Sequence, residues 1–347
     1  SRHRRARARD PGAEAALSDR EALLTGPIRG ELLGADHLAA RARVVAREQR
    51  VRPDARPLRS ARLLERLADT RQVLTDARER LLAAPVTEDD TSPATEWLLD
   101  NYYVVQEQLE EVRASLPGRY YRELPELANG PLTGFPRVYE MAISLISHTE
   151  ARIDLQNIGL YVDAFQSVTP LSIGELWALP VMLRMGLIES IRRMTLRSTQ
   201  RLDEQEEATR WAQRILNASS RDGSALRAVL REFAVAAPSF SPHVFTRLLQ
   251  ILRRAEGASP PLLWIEQFMR ESGQSPEQAV GATTERMALT QLMMANSITS
   301  LRRIGRIDWR GFVEAQSAMD VILRADPADC YQRMTFETRD LYRHAVE

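Results

Sequence analysis

Ser172-Ile173-Gly174-Glu175 runs directly into LWALPVMLRMGLI, residues 176–188, a thirteen-residue stretch whose one charge is Arg184. The Ser172 hydroxyl can accept from the Glu175 amide while the Glu175 carboxylate reaches back to the Ser172 amide. This reciprocal cap starts a helix, and Leu171 and Leu176 occupy the positions of a hydrophobic staple. A helix apolar on nearly every side belongs inside a core. At about 1.5 Å per residue it is too short for the roughly 30 Å of a bilayer's hydrocarbon layer. Pro180 lacks an amide hydrogen and crowds the preceding turn, so a kink is expected there.

Outward from this stretch the signals are helical. Four Ser-Pro pairs, Ser92-Pro93, Ser241-Pro242, Ser259-Pro260 and Ser275-Pro276, each set a capping hydroxyl before a proline suited to the first helical position. Apolar stripes at four-three spacing follow Leu63, Leu67, Thr70, Leu74, Ala77 and Leu81, then Leu98, Tyr102, Val105, Leu109, Val112 and Leu116. Further helices are predicted at 135–150, 155–168, 199–217, 224–236, 242–255, 261–272, 276–304, 309–325 and 336–347. No alternating β-branched run and no Asn-Gly or Asp-Gly hairpin turn between such runs is found. The expected fold is all-α, a multi-helix bundle or array with a buried, Pro-kinked central helix and essentially no β structure.

The expected organisation is a disordered Arg-rich tail over 1–20, amphipathic helices over 21–92 with a linker at 51–60, and a main helical domain over 93–347. The chain's 47 basic residues, all Arg, cancel its 47 acidic ones. Residues 1–60 hold 14 Arg against 8 acidic residues, a net +6 balanced by −6 over the remainder. Nothing in the total charge calls for nucleic acid. A single cysteine, Cys330, excludes an internal disulfide and a cysteine-built zinc site. No secretory signal is visible at the front, and Ser in place of Met at position 1 points to a piece of a longer chain.

A search for chemistry finds no self-sufficient active site. His3, His37, His148, His243 and His344 are scattered, none at the spacing of a helical metal site, and no glycine-rich phosphate loop occurs. Glu175 and Glu189 share a helix face but stand about 21 Å apart along it, too far for a catalytic carboxylate pair. Glu175 is better explained as a cap and Glu189 as a partner of Arg192 or Arg193. Arg192, Arg193 and Arg197, like Arg302, Arg303 and Arg306, could bind phosphate or lipid heads, though cations near helix ends and on solvated faces are the plainer reading.

From Pro93 the sequence reads PATEWLLDNYYVVQEQLEEVRASLPGRYYRELPELANGPLTGFPRVYEMA. With TPLSIGELWALPVMLRMGLIESIRRM (169–194), SITSLRRIGRIDWRGFVE (297–314) and LRADPADCYQRMTFETRDLYRHAVE (323–347), it resembles the segment preceding the glycosyltransferase domain of cyclic β-1,2-glucan synthases. Order and spacing hold from 93 to the end; Thr335 stands where an Asp is expected before Phe336, and Thr can cap in its place. The resemblance implies a membrane protein of the bacterial inner membrane that uses UDP-glucose with a divalent metal to build and cyclise a β-1,2-glucan. Its Asp-x-Asp and Gln-x-x-Arg-Trp patterns are missing here: the nearest approach, Gln205 to Arg210-Trp211, has four intervening residues. The longest uncharged run near the end, Met287 to Leu301, is fifteen residues and rich in Thr, Gln, Asn and Ser.

The resemblance therefore implies a non-catalytic helical module without a cofactor of its own. It would be soluble itself and sit on the cytoplasmic side. There it would scaffold or dock to the transferase and membrane domains of the same parent chain, with β-1,2-glucan as a further partner. Trp97, Tyr102, Tyr103, Tyr120, Tyr121 and Arg122 are the candidates for a docking or glucan-contacting surface, because aromatics and Arg dominate interface anchors and stack on sugars. Two other classes compete: an independent helical-barrel glucan hydrolase or transglycosylase with carboxylates drawn from several helices, and an anionic-lipid or nucleic-acid binder acting through the Arg-rich front.

Overall fold

The computed structural model describes residues 28–52, 61–84, 92–115, 124–255, 259–273 and 275–346, without 326 and 328. The expected tail at 1–20 lies outside them. Among the described residues the chain is all-α, with no strand beyond two isolated bridges, Val51 to Leu127 and Glu126 to Pro136. Its helices are α1 (Ala35–Glu48), α2 (Ala61–Ala83), α3 (Pro93–Asp100), α4 (Tyr102–Ala114), α5 (Arg137–His148), α6 (Leu155–Gln166) and α7 (Ile173–Ser219). They continue with α8 (Gly223–Ala236), α9 (Pro242–Arg254), α10 (Ser259–Glu271), α11 (Pro276–Ile304), α12 (Trp309–Gln316), α13 (Ala318–Arg324) and α14 (Phe336–Val346).

All four Ser-Pro pairs open helices. Ser241 and Ser275 accept from the amides of Val244 (3.4 Å) and Gln278 (3.0 Å), leaving fewer unsatisfied donors in the first turn. The reciprocal cap at α7 forms as read: Ser172 N donates to Glu175 Oε2 at 3.0 Å, and Glu175 N to Ser172 Oγ at 3.2 Å. Helix α7 then continues through Pro180 for 47 residues in all, joining two stretches that periodicity separated. Two expected helices are instead broken. One breaks at Asn101 between α3 and α4, the other at Ser317, whose hydroxyl caps α13 at the Asp320 amide (3.2 Å). At the front of the expected linker, Arg52 N donates to Glu126 O at 2.9 Å, so that end is tied down; 53–60 lie outside the described residues.

The chain divides into two compact units. The first takes the described parts of Ser1–Thr75, Asp100–Arg193 and Met293–Glu347; the second, those of Asp76–Leu99 and Met194–Leu292. In the first unit nearly every residue of α7 from Leu176 to Ile191 is buried, as its composition demands. Arg184 inside that run donates to Gln108 Oε1 at 2.9 Å, giving the buried guanidinium an acceptor. After α5, Glu150 and Ala151 adopt left-handed backbone (φ 51° and 60°), held by α11. Asn296 donates to Glu150 O at 2.9 Å and Ser300 to Ala151 O at 2.7 Å.

The second unit has its own aromatic core. Phe233, fully buried on α8, meets Trp211, Phe240, Phe245, Trp264 and Phe268 with ring centroids 5.4–6.5 Å apart, mostly edge to face. Such pairs add roughly 0.5–1.5 kcal/mol each beyond area burial.

Candidate functional site

Of the six surface candidates, Tyr120, Tyr121 and Arg122 lie outside the described residues. Trp97 on α3 is 40% exposed and Tyr103 on α4 is 61% exposed. Tyr102 is 4% exposed and belongs to the core, which corrects its assignment to a surface. The reason is helical geometry: Tyr102 continues the buried stripe of Val105, Leu109 and Val112, while Tyr103 is turned by about 100° from it. Tyr103 carries Arg302 with it, since that guanidinium donates to Tyr103 Oη at 2.9 Å and to Asn101 Oδ1 at 2.6 Å and stands 5.8 Å from the ring centroid.

Glu175 and Glu189 are both buried, and both are absorbed by arginines. Arg137 grips Glu175 with two donors, Nε at 2.5 Å and Nη2 at 2.6 Å, in addition to the cap. Glu189 Oε1 accepts from Arg66 (2.6 Å), Arg193 (2.9 Å) and Arg192 (3.3 Å). A carboxylate whose oxygens are taken up by several guanidinium donors is poorly placed to shuttle protons. Nearby, burial and then the Glu189 charge push the Tyr139 hydroxyl well above the ordinary tyrosine range.

A different acid stands at a cleft. In the first unit, α1, α5 and the Asn129–Leu132 turn line a cavity of about 380 Å³, with Arg41, Glu48, Gln49, Glu140 and Ser144 among its walls. Gly130 takes the left-handed φ of 77° that this turn needs, and Asn129 locks it by donating to Glu48 O (3.0 Å) and accepting from Arg50 N (2.8 Å). Burial pushes the Glu140 carboxyl up. The hydrogen bond from Gln49 (2.7 Å) and the charge of Arg41 oppose this, and the Glu48 charge adds to it. Perturbed acids in clefts mark binding or proton-transfer sites more often than chance. The sequence signal was there in part: Glu140 is the one acid in the largely buried helix RVYEMAISLISH, but its cleft needs α1, about ninety residues earlier in the chain.

Among the described residues no three His, Cys, Asp or Glu side chains form a group that could hold a metal, and no helix is long and apolar enough to cross a membrane. Fold and site together define an all-α segment built around buried ion pairs.

No family model matches the chain. The curated cyclic β-(1,2)-glucan synthase NdvB of Rhizobium meliloti (strain 1021) is 33% identical to it over 256 residues, which cover 74% of this chain and 9% of that protein. The chain is a homologue of one part of a cyclic β-(1,2)-glucan synthase, and it spans about a tenth of that relative's length.

Proposed function

We propose that this chain is a non-catalytic helical module of a membrane-bound cyclic β-(1,2)-glucan synthase that scaffolds or docks to the transferase and membrane parts of the same protein. The similarity to a synthase more than ten times longer than the matched segment supports the parentage. The observation that carries the non-catalytic part is the fate of Glu175 and Glu189, the acids on either side of the apolar run of α7: each is locked by arginines. For docking, α13 and α14 pack on each other and leave Val321, Ile322, Leu341, Tyr342 and Val346 exposed. Apolar side chains concentrated on neighbouring helices suit a partner surface. UDP-glucose and its metal would then be bound elsewhere in the synthase.

The cleft at Glu140 and Glu48 favours one competing reading, a helical glucan hydrolase with a raised-pKa acid opposite a second carboxylate. Two measurements separate them. The purified chain, incubated with β-1,2-glucan, is expected to release no sugar; turnover lost in Glu140→Gln would overturn the scaffold. In a full-length synthase carrying this segment, Ile322→Asp with Leu341→Asp is expected to lower the amount of assembled enzyme several-fold while leaving the KM for UDP-glucose unchanged. Normal assembly in that variant would remove α13 and α14 from the docking surface.

A further inference from the structure

In the second unit, α7, α9 and α11 enclose a cavity of about 200 Å³. Arg197 and Arg201 of α7, Arg286 of α11 and His243 from the first turn of α9 line it. Several arginines of this chain are paired with acids: Arg66 with Glu189, Arg71 with Glu110, Arg80 with Asp203, Arg214 with Glu232 and Arg253 with Glu266. Arg197 and Arg286, which line one cavity, are not: neither guanidinium makes an ion pair or hydrogen bond among the described residues. Glu204, the acidic side chain on the wall, accepts from Gln200 at 3.1 Å.

Keeping a half-buried guanidinium beside a second one is unfavourable. Burial pushes Arg197 down from the ordinary arginine range, and the charge of Arg286 pushes it the same way. An anion between Arg197 and the exposed Arg286 would relieve both the burial and the like-charge repulsion. The start of α9 adds to the positive field, because Pro242 and His243 line the cavity at the N-terminus of a thirteen-residue helix.

We propose that this cavity binds a phosphate-class oxyanion, gripped by Arg197 and Arg286 against the first turn of α9. Guanidinium forks match phosphate oxygens in pairs, which is why arginine suits the task. At about 200 Å³ the space lies below the roughly 300–1,000 Å³ of pockets for larger ligands. It suits phosphate, pyrophosphate or a lipid phosphate headgroup better than a whole sugar nucleotide.

The test uses the 347-residue chain with two kinds of probe: inorganic phosphate and pyrophosphate by titration calorimetry, and phosphatidic-acid vesicles by co-sedimentation. Binding of either kind, weakened at least tenfold in Arg197→Gln and in Arg286→Gln but unchanged in Arg310→Gln, supports the site. Loss confined to the soluble anions assigns a free phosphate, and loss confined to the vesicles a headgroup. Without ligand, Arg286→Gln is expected to melt at or above the wild-type temperature, as relief of like-charge repulsion requires. Binding by neither probe at millimolar concentration, binding unchanged in both variants, or a lower melting point of unliganded Arg286→Gln would each overturn the proposal.

Discussion

Asp320 is a buried carboxylate that folding keeps charged. Burial pushes its carboxyl up, but hydrogen bonds from Arg324, Tyr331 (2.7 Å) and Arg343 (2.9 Å) more than offset this and hold it below the ordinary range. Arg343 itself is fully buried, 5.4 Å from the Phe336 ring centroid. A depressed carboxyl stabilises the fold above the unfolded value of about 3.9, and the contribution is lost as pH falls through the folded value. Tyr331 behaves oppositely. Burial and the hydrogen bond to Asp320 raise it to about 12, so its contribution is complete below about 10 and fades as pH rises through about 12. We expect the melting temperature to fall at both ends. Asp320→Asn, measured from pH 3 to 7 by thermal melting, should flatten the acid limb and cost roughly 3 kcal/mol or more at neutral pH, because it strips Arg343 of a buried partner. An unchanged acid limb would mean that other carboxylates set it. This network was not legible in sequence. The Ser172–Glu175 cap was, because cap partners lie three residues apart, whereas Glu314, Asp320, Tyr331 and Arg343 meet only through folding.

At the scale of elements, α7 shows which sequence signals survive folding. Gly186 packs against α5: a Cβ there would meet Ile146 Cδ1 at 2.5 Å and Ile143 Cδ1 at 3.3 Å. Alanine would gain about 1 kcal/mol of helix propensity, but overpacking a closed core costs typically 1–3 kcal/mol, and Ile146 is fully buried with little room to turn. Gly186→Ala is therefore expected to lose stability in urea unfolding, and Ile146→Ala in the same chain to recover part of the loss relative to the sum of the two changes. A more stable Gly186→Ala would show that the two helices can separate without penalty. Helix starts were legible because caps and prolines are local. Helix lengths were less so: Arg192, Arg193 and Arg197 interrupt the apolar stripe of α7 and read as an end, yet the first two sit against Glu189 and the helix continues to Ser219. For the same reason the three arginines looked alike in sequence, although Arg197 alone among them lines the second-unit cavity.

At the scale of the whole molecule, two cores share single helices without a break in the backbone. Residues 173–193 of α7 belong to the first unit and 194–219 to the second, and the second unit's packing converges on Phe233. Truncating a buried phenylalanine typically costs 3–5 kcal/mol, through lost contacts and the cavity left behind. If each core stabilises its own helices, Phe233→Ala should spend that loss mainly in the second unit. Hydrogen exchange followed by mass spectrometry should then show faster exchange for the amides of 205–219, 226–236 and 244–252, with α5, α6 and 176–191 still protected as in the wild type. The boundary would fall inside an unbroken helix, near Arg193, where hydrogen bonding alone predicts none. Faster exchange spread evenly along α7 would instead mean that the helix couples both cores into one cooperative structure. In that case an oxyanion at Arg197 and Arg286 would stabilise the cleft at Glu140 as strongly as its own surroundings.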